Sequence, residues 1–387
     1  MRIPPLLVLL AFLAPARADE LTFVKDGAEL TVAGNLLKED AEGTILFEGR
    51  DLRHYFVAAA DRRNLARSNE PVDAYSRNEL RAALQKEYGT GFKILESGAY
   101  IVVHRGSAER AKEAGRLLNR ANLAFTNYFG KAGSFKFTKP PLPLVAVLFE
   151  DRPEYLDNLR KHLGRAADFS VGVYINDVNR IFLYDAFGGE IGGKVDQVLR
   201  INEKAGRQIA AQLYEQNVST VVHEAIHQCA FNTGFHHRHV ANPIWLVEGM
   251  AMFFETPDLD AHGGWKGGKT VNLPRAERFW QIYRGLRPGF LEDLLLDDSR
   301  FRRSDTAADS YALAWTVTYY LLKRQTKGYM EYLRLVGERP PLVPYGRAER
   351  LEHFEKAFKR SPQKMEEEFK KAIVGMIDQP GNASARR

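Results

Sequence analysis

The chain has 387 residues, 45% of them hydrophobic, so it is long enough to bury a sizeable core. Its net charge is +6 and its sequence pI is near 9.1, but 49 acidic residues are interspersed with the basic ones. No basic run or known module gathers the positive charge on one face, so we expect no nucleic-acid partner. The charge fits solubility, or mild attraction to an anionic cell envelope.

The first eighteen residues have the pattern of a cleavable secretory signal. An apolar stretch from Leu6 to Leu13 follows Arg2, and the small-x-small pattern Ala16-Arg17-Ala18 precedes Asp19. The apolar stretch is well short of the roughly 20 residues that a membrane-spanning helix needs. We therefore predict an exported protein, periplasmic or extracellular, without a transmembrane segment once the signal is removed.

The single cysteine, Cys229, allows no internal disulfide, so packing and a bound metal are the means left to stabilise an exported chain of this kind. Cys229 follows the motif histidine His227 by two residues. On a helix this spacing turns it some 200° away, which favours a core position over a metal thiolate. Removing 18 of the 387 residues leaves 369, which predicts a lobed enzyme or two domains.

The N-terminal part of the mature chain alternates short apolar runs with turn residues. Between residues 20 and about 60 this pattern predicts a small antiparallel β unit. The polar segment from Arg62 to Val72 is interpreted as a linker. A helix is expected over about Ser76 to Tyr88.

From Tyr100 onward the pattern alternates strand and helix, with Ser107 and Asp151 at N-cap positions. A hairpin is expected where Asn176-Asp177-Val178-Asn179 joins two apolar runs. The sequence thus predicts a mixed sheet with covering helices. Its strands are expected at 100–104, 144–149, 171–175 and 180–184, and its helices at 108–128 and 153–163.

After the Gly-rich stretch from Gly188 to Gly193 the pattern is helical almost to the end. Helices are expected at 195–215, 217–231, 243–255, 275–285, 306–324, 327–335 and 349–376. The fold class predicted is α+β. The boundaries predicted are a signal peptide at 1–18, a β-rich accessory unit with linker at 19–70, an α/β sheet lobe at 76–195, a helical lobe at 196–377 and a frayed tail at 378–387.

An H-E-x-x-H motif, formed by His223, Glu224 and His227, lies inside one of these helical patterns. Four residues apart on a helix, two imidazoles lie about 40° from each other around the axis and about 6 Å along it. Both can therefore reach one zinc ion at about 2.0 to 2.1 Å. Glu224 points to the flank, where a carboxylate can take a proton from metal-bound water. Two solvated histidines are the alternative.

The next helix offers a third ligand. Pro243 can occupy its first helical position, Gly234 can stop the preceding helix, and 20 residues separate His227 from Glu248. Glu248 lies in an apolar run, where an unpaired carboxylate is costly and a metal relieves that cost. The sequence therefore predicts a metal site of His223, His227 and Glu248, with a surface position for Glu248 as the alternative.

The motif together with Trp245-Leu246-x-Glu248-Gly249-x-Ala251 resembles the active-site signature of gluzincin (peptidase MA-like) zinc metallopeptidases, including the membrane-alanyl-aminopeptidase branch. This resemblance covers Thr220 to Glu255. It implies a zincin-like helical lobe, one Zn²⁺ per chain and Glu224 as the catalytic base.

A wider part of the mature chain is similar to an exported bacterial family known only as domain of unknown function 1570. That similarity implies a fold and no substrate. It includes Gly49-Arg50-Asp51, Asn179-Arg180, Asn242-Pro243 and Glu255-Thr256-Pro257-Asp258-Leu259.

A tyrosine at the start of a later helix has a possible catalytic role. Tyr311 lies where the aminopeptidase branch has a tyrosine whose hydroxyl stabilises the tetrahedral oxyanion, so the resemblance implies the same role here. A core position is the alternative, because Tyr319 and Tyr320 share the helix.

The chain departs from the resembled families in two places. The Gly-x-Met-Glu-Asn segment that captures a substrate amino terminus is absent, and Gly188-Gly189-Glu190 is a poor substitute, so aminopeptidase activity is not implied. Thermolysin-like enzymes have an acidic residue four positions after the third ligand, and here that position is Met252. The group that orients each histidine is therefore left open.

Two further groups of residues have a simple and a functional interpretation. His236, His237 and His239 could bind another metal or gate the cleft, but a solvated loop is the preferred interpretation because they lack helical spacing. Arg275 and the Arg302-Arg303 pair could meet a substrate carboxylate, against the simpler interpretation of solvated charge.

These residues together predict a secreted zinc metallohydrolase that hydrolyses peptide bonds with Glu224 as general base and Tyr311 and zinc sharing the oxyanion charge. We expect a peptide or protein substrate that pairs with the edge offered by the hairpin of residues 171–184. Two alternatives stay open: an inactive, zinc-stabilised envelope binding module, and a zinc amidase acting on cell-wall peptides.

Overall fold

The computed structural model divides the chain into two units, Met1–Ser76 and Arg77–Arg387. The predicted signal peptide, the Gly-rich stretch at 188–193 and the tail from 378 lie outside the residues that it describes, apart from residue 18. The structure describes residues 18–68, 72–132, 135–185, 197–198, 200–256 and 271–377.

The first unit contains the predicted antiparallel β structure. Its five strands are β1 (Asp19–Lys25), β2 (Ala28–Glu39), β3 (Ile45–Gly49), β4 (His54–Val57) and β5 (Arg62–Ala66), in the spatial order β4-β3-β2-β1-β5. One face of the sheet buries a small apolar cluster. The cluster consists of Leu21, Phe23, Ile45, Phe47 and Val57. The prediction of an N-terminal β unit is confirmed.

The prediction of a linker beginning at Arg62 is wrong, because residues 62–66 form strand β5. This strand pairs antiparallel with β1, and Leu65 lies opposite Leu21 and packs against the apolar cluster. Leu65 is the one large apolar residue in a segment that reads Arg-Arg-Asn-Leu-Ala. Backbone pairing and the Leu65 side chain hold the strand in place, so the amino-acid composition of residues 62–66 does not predict a strand.

The second unit contains the predicted mixed sheet. Its strands are β6 (Lys93–Ser97), β7 (Tyr100–His104), β8 (Leu144–Phe149), β9 (Gly172–Ile175) and β10 (Arg180–Tyr184), in the order β6-β7-β8-β10-β9. β8 runs parallel to both β7 and β10, and the edge strands β6 and β9 are antiparallel to their neighbours. The hairpin of β9 and β10 is confirmed. β6 was not predicted, because it contains only two apolar residues, Ile94 and Leu95, between polar ones.

Three helices accompany the sheet: α1 (Arg77–Tyr88), α2 (Ala108–Ala132) and α3 (Arg152–Leu163). The predicted caps are present: the Asp151 carboxylate accepts a hydrogen bond from the Glu154 amide, and the Ser107 hydroxyl accepts one from Arg110. α2 packs against a long helix, α4 (Glu203–Asn232), which carries the predicted site. The α+β fold class is confirmed.

The remaining helices follow α4 in the chain. They are α5 (Ile244–Phe254), α6 (Leu273–Tyr283), α7 (Phe290–Leu296), α8 (Ala307–Arg324), α9 (Thr326–Gly337), α10 (Arg347–Phe358) and α11 (Pro362–Met376). In the described residues none has the length and apolar character that crossing a bilayer requires.

Three helix predictions differ from the structure. The two helices predicted at 195–215 and 217–231 are one helix over residues 203–232, since neither glycine nor proline interrupts the segment at 216. The single helix predicted at 349–376 is two, because Lys359 adopts a left-handed conformation (φ 56°) and Ser361 caps a new helix. The short helix α7 was not predicted.

Close contact between α5 and α8 fixes the position of the residues that α5 carries. A β-carbon added at Gly249 would lie 2.6 Å from the Ala314 carbonyl oxygen and would also clash with the Thr318 hydroxyl. Both obstacles belong to α8, and one of them is backbone. The glycine is therefore required for the approach of the two helices, one residue after the predicted ligand Glu248.

We predict that Gly249→Ala destabilises the second unit by about 1–3 kcal/mol, because the added methyl group forces α5 away from α8. Gly375→Ala is the matched control: this helical glycine has open space around its β-carbon position, and the same substitution should be neutral or slightly stabilising. Urea unfolding followed by tryptophan fluorescence measures both, since all four tryptophans lie after residue 76. Equal stability of the two variants would contradict the packing account.

Candidate metal centre and cleft

The H-E-x-x-H motif lies on α4 as predicted. The helix is continuous through the motif, and the Nε2 atoms of His223 and His227 are 3.0 Å apart. The segment around them is buried against the sheet and α2, with Val222, Ala225 and Ile226 fully buried. Two imidazoles thus meet at one point on the buried part of a helix.

Helix α5 brings the third predicted ligand to the same point. α4 ends at Asn232, Gly234 turns the chain with a φ of 79°, and Pro243 immediately precedes α5. One carboxylate oxygen of Glu248 lies 3.2 Å from His223 Nε2, and the other lies 3.7 Å from His227 Nε2. The three residues therefore form one cluster, as the sequence predicted.

The dimensions of this cluster fit a metal ion. A tetrahedral zinc ion with ligands at about 2.0–2.1 Å separates its ligand atoms by about 3.3 Å. The three distances in the structure, 3.0, 3.2 and 3.7 Å, bracket that value. His223, His227 and Glu248 form a group that could hold a metal ion. Two nitrogens and one carboxylate are a donor set that zinc accepts.

The pKa values of the two histidines differ, and together they favour one positive charge in the cluster. Burial opposes charge on His223, but hydrogen bonds to Glu248 and Glu255 outweigh it and hold the pKa of His223 well above its ordinary value. Burial lowers the pKa of His227 to about 4. Without a metal, therefore, one imidazole carries the positive charge and the other stays neutral. A metal ion bound there would take the place of that proton.

Glu224 is placed beside the cluster by a strand of the sheet. Its carboxylate is buried, and the Tyr174 backbone N–H donates a 2.6 Å hydrogen bond to Oε2. Tyr174 belongs to the edge strand β9, so the bond ties the motif helix to the outer edge of the sheet. Burial raises the pKa of Glu224 to about 7. The carboxylate is thus fixed in position and can exchange a proton near neutral pH.

The residue that orients His223 was not predicted. Glu255, which follows the last residue of α5, accepts a 2.9 Å hydrogen bond from His223 Nδ1 through Oε2. Its other oxygen, Oε1, accepts bonds from Asn272 Nδ2 at 2.6 Å and from Arg275 Nε at 3.4 Å. Despite burial, these donors lower the pKa of Glu255 and keep it ionised. A carboxylate that holds the distal nitrogen of a metal-binding histidine is a common feature of zinc sites.

The position where thermolysin-like enzymes have their acidic residue is filled differently here. Met252 is fully buried in the hydrophobic core. Glu255 lies three residues further along, where α5 ends and the side chain can turn back to α4. For His227, no acceptor for Nδ1 is found among the described residues. Glu255 lies at the end of the segment Thr220 to Glu255 that carries the sequence resemblance, but only the fold shows that its carboxylate reaches His223.

The cluster opens into a cleft. Described residues from the edge strand β9, from α4 and from the start of α6 line it, and so do Glu255 and Tyr311. Tyr311 is half-buried, and its ring meets Phe301 edge-on. The neighbouring Glu248 carboxylate, together with burial, raises the pKa of Tyr311, which keeps its hydroxyl protonated and able to donate a hydrogen bond. The structure thus places Tyr311 in the same cleft as the metal ligands.

The preferred interpretation of the histidine loop is wrong for His236. This side chain is buried against Phe231 and Phe235, and burial lowers its pKa to about 3. The aromatic neighbours hold the loop against the core, so the residue is a neutral core histidine. Cys229 is a fully buried core residue, as predicted, and its thiol pKa is raised to about 12 by burial.

Comparison with known proteins gives a match over part of the chain and no activity. Residues 217–343 match a family described as "Protein of unknown function (DUF1570)". This span runs from the motif helix α4 into the segment that follows α9 and includes every residue of the cluster. A search of curated proteins gave no match. The function must therefore be inferred from the site itself.

We predict that Glu255→Gln weakens metal binding by about 10- to 100-fold, because an amide holds His223 Nδ1 less strongly than a carboxylate does. Glu215→Gln is the matched control, since Glu215 lines the same cleft but is exposed and makes no hydrogen bond to either histidine. Competition with a chromogenic zinc chelator measures both affinities. Equal affinity of the Glu255→Gln variant and the wild type would contradict the assigned orientation of His223.

Proposed function

We propose that the protein is an exported, zinc-dependent hydrolase that cleaves peptide bonds. The observation that carries this proposal is the meeting of His223, His227 and Glu248 at ligand distances, with the Glu224 carboxylate fixed beside them. A site that only stabilised the fold would need the three ligands but not the fourth group. The buried Glu224 carboxylate therefore favours catalysis over a binding module.

Formal charge supports a divalent ion at this point. With all three carboxylates ionised, as a metal ion beside them favours, Glu224, Glu248 and Glu255 contribute three negative charges and Arg275 one positive charge, which leaves −2 when both imidazoles are neutral. One Zn²⁺ neutralises this sum. Uncompensated charge of this size is costly where the carboxylates are largely buried.

The protein residues divide the chemical work. Zinc, when bound, would supply a Lewis acid that polarises a carbonyl group and lowers the pKa of water toward about 7. Glu224 would accept the proton of the attacking water and pass it to the departing amine. Its position beside the three ligands suits both transfers, and the Tyr174 amide keeps the carboxylate from turning away.

Tyr311 is the candidate donor to the developing oxyanion. It lines the cleft, and its hydroxyl is protonated because the nearby Glu248 charge and burial raise its pKa. A neutral donor in the cleft would stabilise negative charge that forms during attack.

An extended peptide fits the edge of the sheet beside the cluster. Residues 171–174, at the outer edge, line the cleft, and Tyr174 also bonds to Glu224. A peptide that pairs with this edge strand would lie next to the proposed base. This placement favours a peptide over a small amide as the substrate.

We predict that Glu224→Gln keeps bound zinc but lowers turnover by about 10²- to 10⁴-fold, since the glutamine cannot accept a proton. The test is cleavage of a peptide library, read by mass spectrometry, by wild type and variant loaded with equal zinc. Glu215→Gln serves again as the control and should cleave at the wild-type rate. Wild-type protein that holds zinc, binds peptides and cleaves none would contradict the proposal and favour the binding module.

We predict that Tyr311→Phe lowers kcat by about 10²-fold with unchanged zinc content, because one oxyanion donor is lost. Tyr319→Phe, on the same helix but packed against Trp315, should leave kcat unchanged. Steady-state kinetics on the best library peptide separates the two. A Tyr311→Phe enzyme with wild-type kcat would assign Tyr311 to packing.

A further inference from the structure

Apart from the two metal-ligand histidines, the cleft contains a single basic side chain among its described lining residues. Its acidic residues are Glu215, Glu224, Glu248 and Glu255, and Arg275 is the one lysine or arginine. We propose that Arg275 binds a carboxylate of the substrate, and hence that the enzyme prefers peptides with an acidic group a few residues from the cleaved bond. This inference rests on the proposed peptidase function and adds the substrate class.

The geometry leaves the end of the Arg275 side chain available. Its Nε is directed to Glu255 at 3.4 Å, and its guanidinium lies 5.7 Å from the centre of the Tyr311 ring. Its side chain is 33% exposed. Neither Nη atom makes a hydrogen bond to a residue in the described part of the chain. Two parallel N–H donors on a planar group match the two oxygens of a carboxylate.

The location of Arg275 limits where that carboxylate can lie. One carboxylate and one imidazole, those of Glu255 and His223, separate the guanidinium from the metal ligand atoms. This path is on the order of 10 Å, about three residues of an extended peptide. A C-terminal carboxylate, or the side chain of an Asp or Glu within that range, could reach Arg275 while the neighbouring peptide bond lies at the metal site.

The charges in the cleft give Arg275 a second effect. With zinc bound and without Arg275, the three buried carboxylates would leave the site with a net charge of −1, and an anionic substrate would be repelled. Arg275, which also lines the cleft, brings the formal charge to zero. Glu255 also receives hydrogen bonds from His223 and Asn272, so Arg275 is not its only donor.

The other arginines considered from the sequence do not share this position. Arg302 and Arg303 are exposed, Arg303 is paired with Asp305, and neither lines the cleft. Arg278, one turn after Arg275 on α6, is paired with Asp309. The structure thus distinguishes Arg275 from the solvated arginines around it.

The test compares matched peptides in the zinc-loaded full chain. The most rapidly cleaved library peptide is made with a C-terminal carboxylate or carboxamide, and with Glu or Gln at each position within about three residues of the cleaved bond. We expect kcat/KM to favour one acidic member over its amide by about 10- to 100-fold, as for a charged hydrogen bond. The pair that shows the preference identifies the source of the carboxylate.

The variants assign the preference to Arg275. In Arg275→Gln the acid-to-amide ratio should fall to about one, and Arg275→Lys should restore part of it. Arg278→Gln, on the same helix, should keep the wild-type ratio. Because the ratio compares two substrates of one enzyme, a general loss of activity through Glu255 cancels. A wild-type ratio near one, or a preference that persists in Arg275→Gln, would overturn the inference.

A binding measurement separates this inference from the proposed function. Peptide hydroxamates are made as matched carboxylate and carboxamide pairs, at the C terminus and at each side-chain position within about three residues of the hydroxamate. Each pair is titrated calorimetrically into zinc-loaded wild type and Arg275→Gln. Tighter binding of the acid form to the wild type alone supports the Arg275 site even if no peptide is cleaved, which would contradict only the hydrolase proposal. Equal binding of both forms to the wild type would overturn the Arg275 site whatever the turnover.

Discussion

The site of the second unit depends on bringing two imidazoles and a carboxylate from different helices to within 3.7 Å of one another in a largely buried place. His223 and His227 are set by the geometry of α4 alone. Glu248 must be delivered by α5, and that requires the turn at Gly234 and the close packing of α5 on α8 at Gly249. Groups of this kind cannot be buried together cheaply, so the fold must supply packing that outweighs the cost.

Neighbouring residues reduce that cost and hold the side chains of the cluster in position. Glu255 holds one histidine, and Asn272 and Arg275 hold Glu255. The edge strand holds Glu224 through the Tyr174 amide. His223, Glu224 and Glu255 are therefore each fixed by a partner from another element, which helps a site to keep its members in position during a reaction. The same network places the positive charge of Arg275 in the cleft together with three carboxylates. We propose that the substrate preference follows from this charge.

Part of the fold and of the site could be predicted from short-range patterns in the sequence. The spacing of the motif predicted its cluster because a helix has a fixed rise and rotation, and the apolar surroundings of Glu248 predicted its partners because a lone buried carboxylate is costly. The hairpin of β9 and β10 followed from its turn residues. These features depend on residues close together in the chain.

The features that sequence reasoning missed depend on residues brought together by the fold. Glu255 reaches His223 across 32 positions, and the contact exists only because α5 ends where it does. Strand β5 is held by pairing with β1 and has little apolar pattern of its own. His236 is polar in sequence but buried by aromatic neighbours. Arg275 could not be told from other arginines until its position in the cleft was known.

The most direct test of the account is the metal content of the mature chain, measured by elemental analysis together with His223→Ala and Glu248→Ala. The account predicts about one zinc per chain in the wild type and a loss of that zinc in both variants, since three ligands hold the ion. A folded wild-type protein that contains no zinc and takes up none when zinc is added would contradict it.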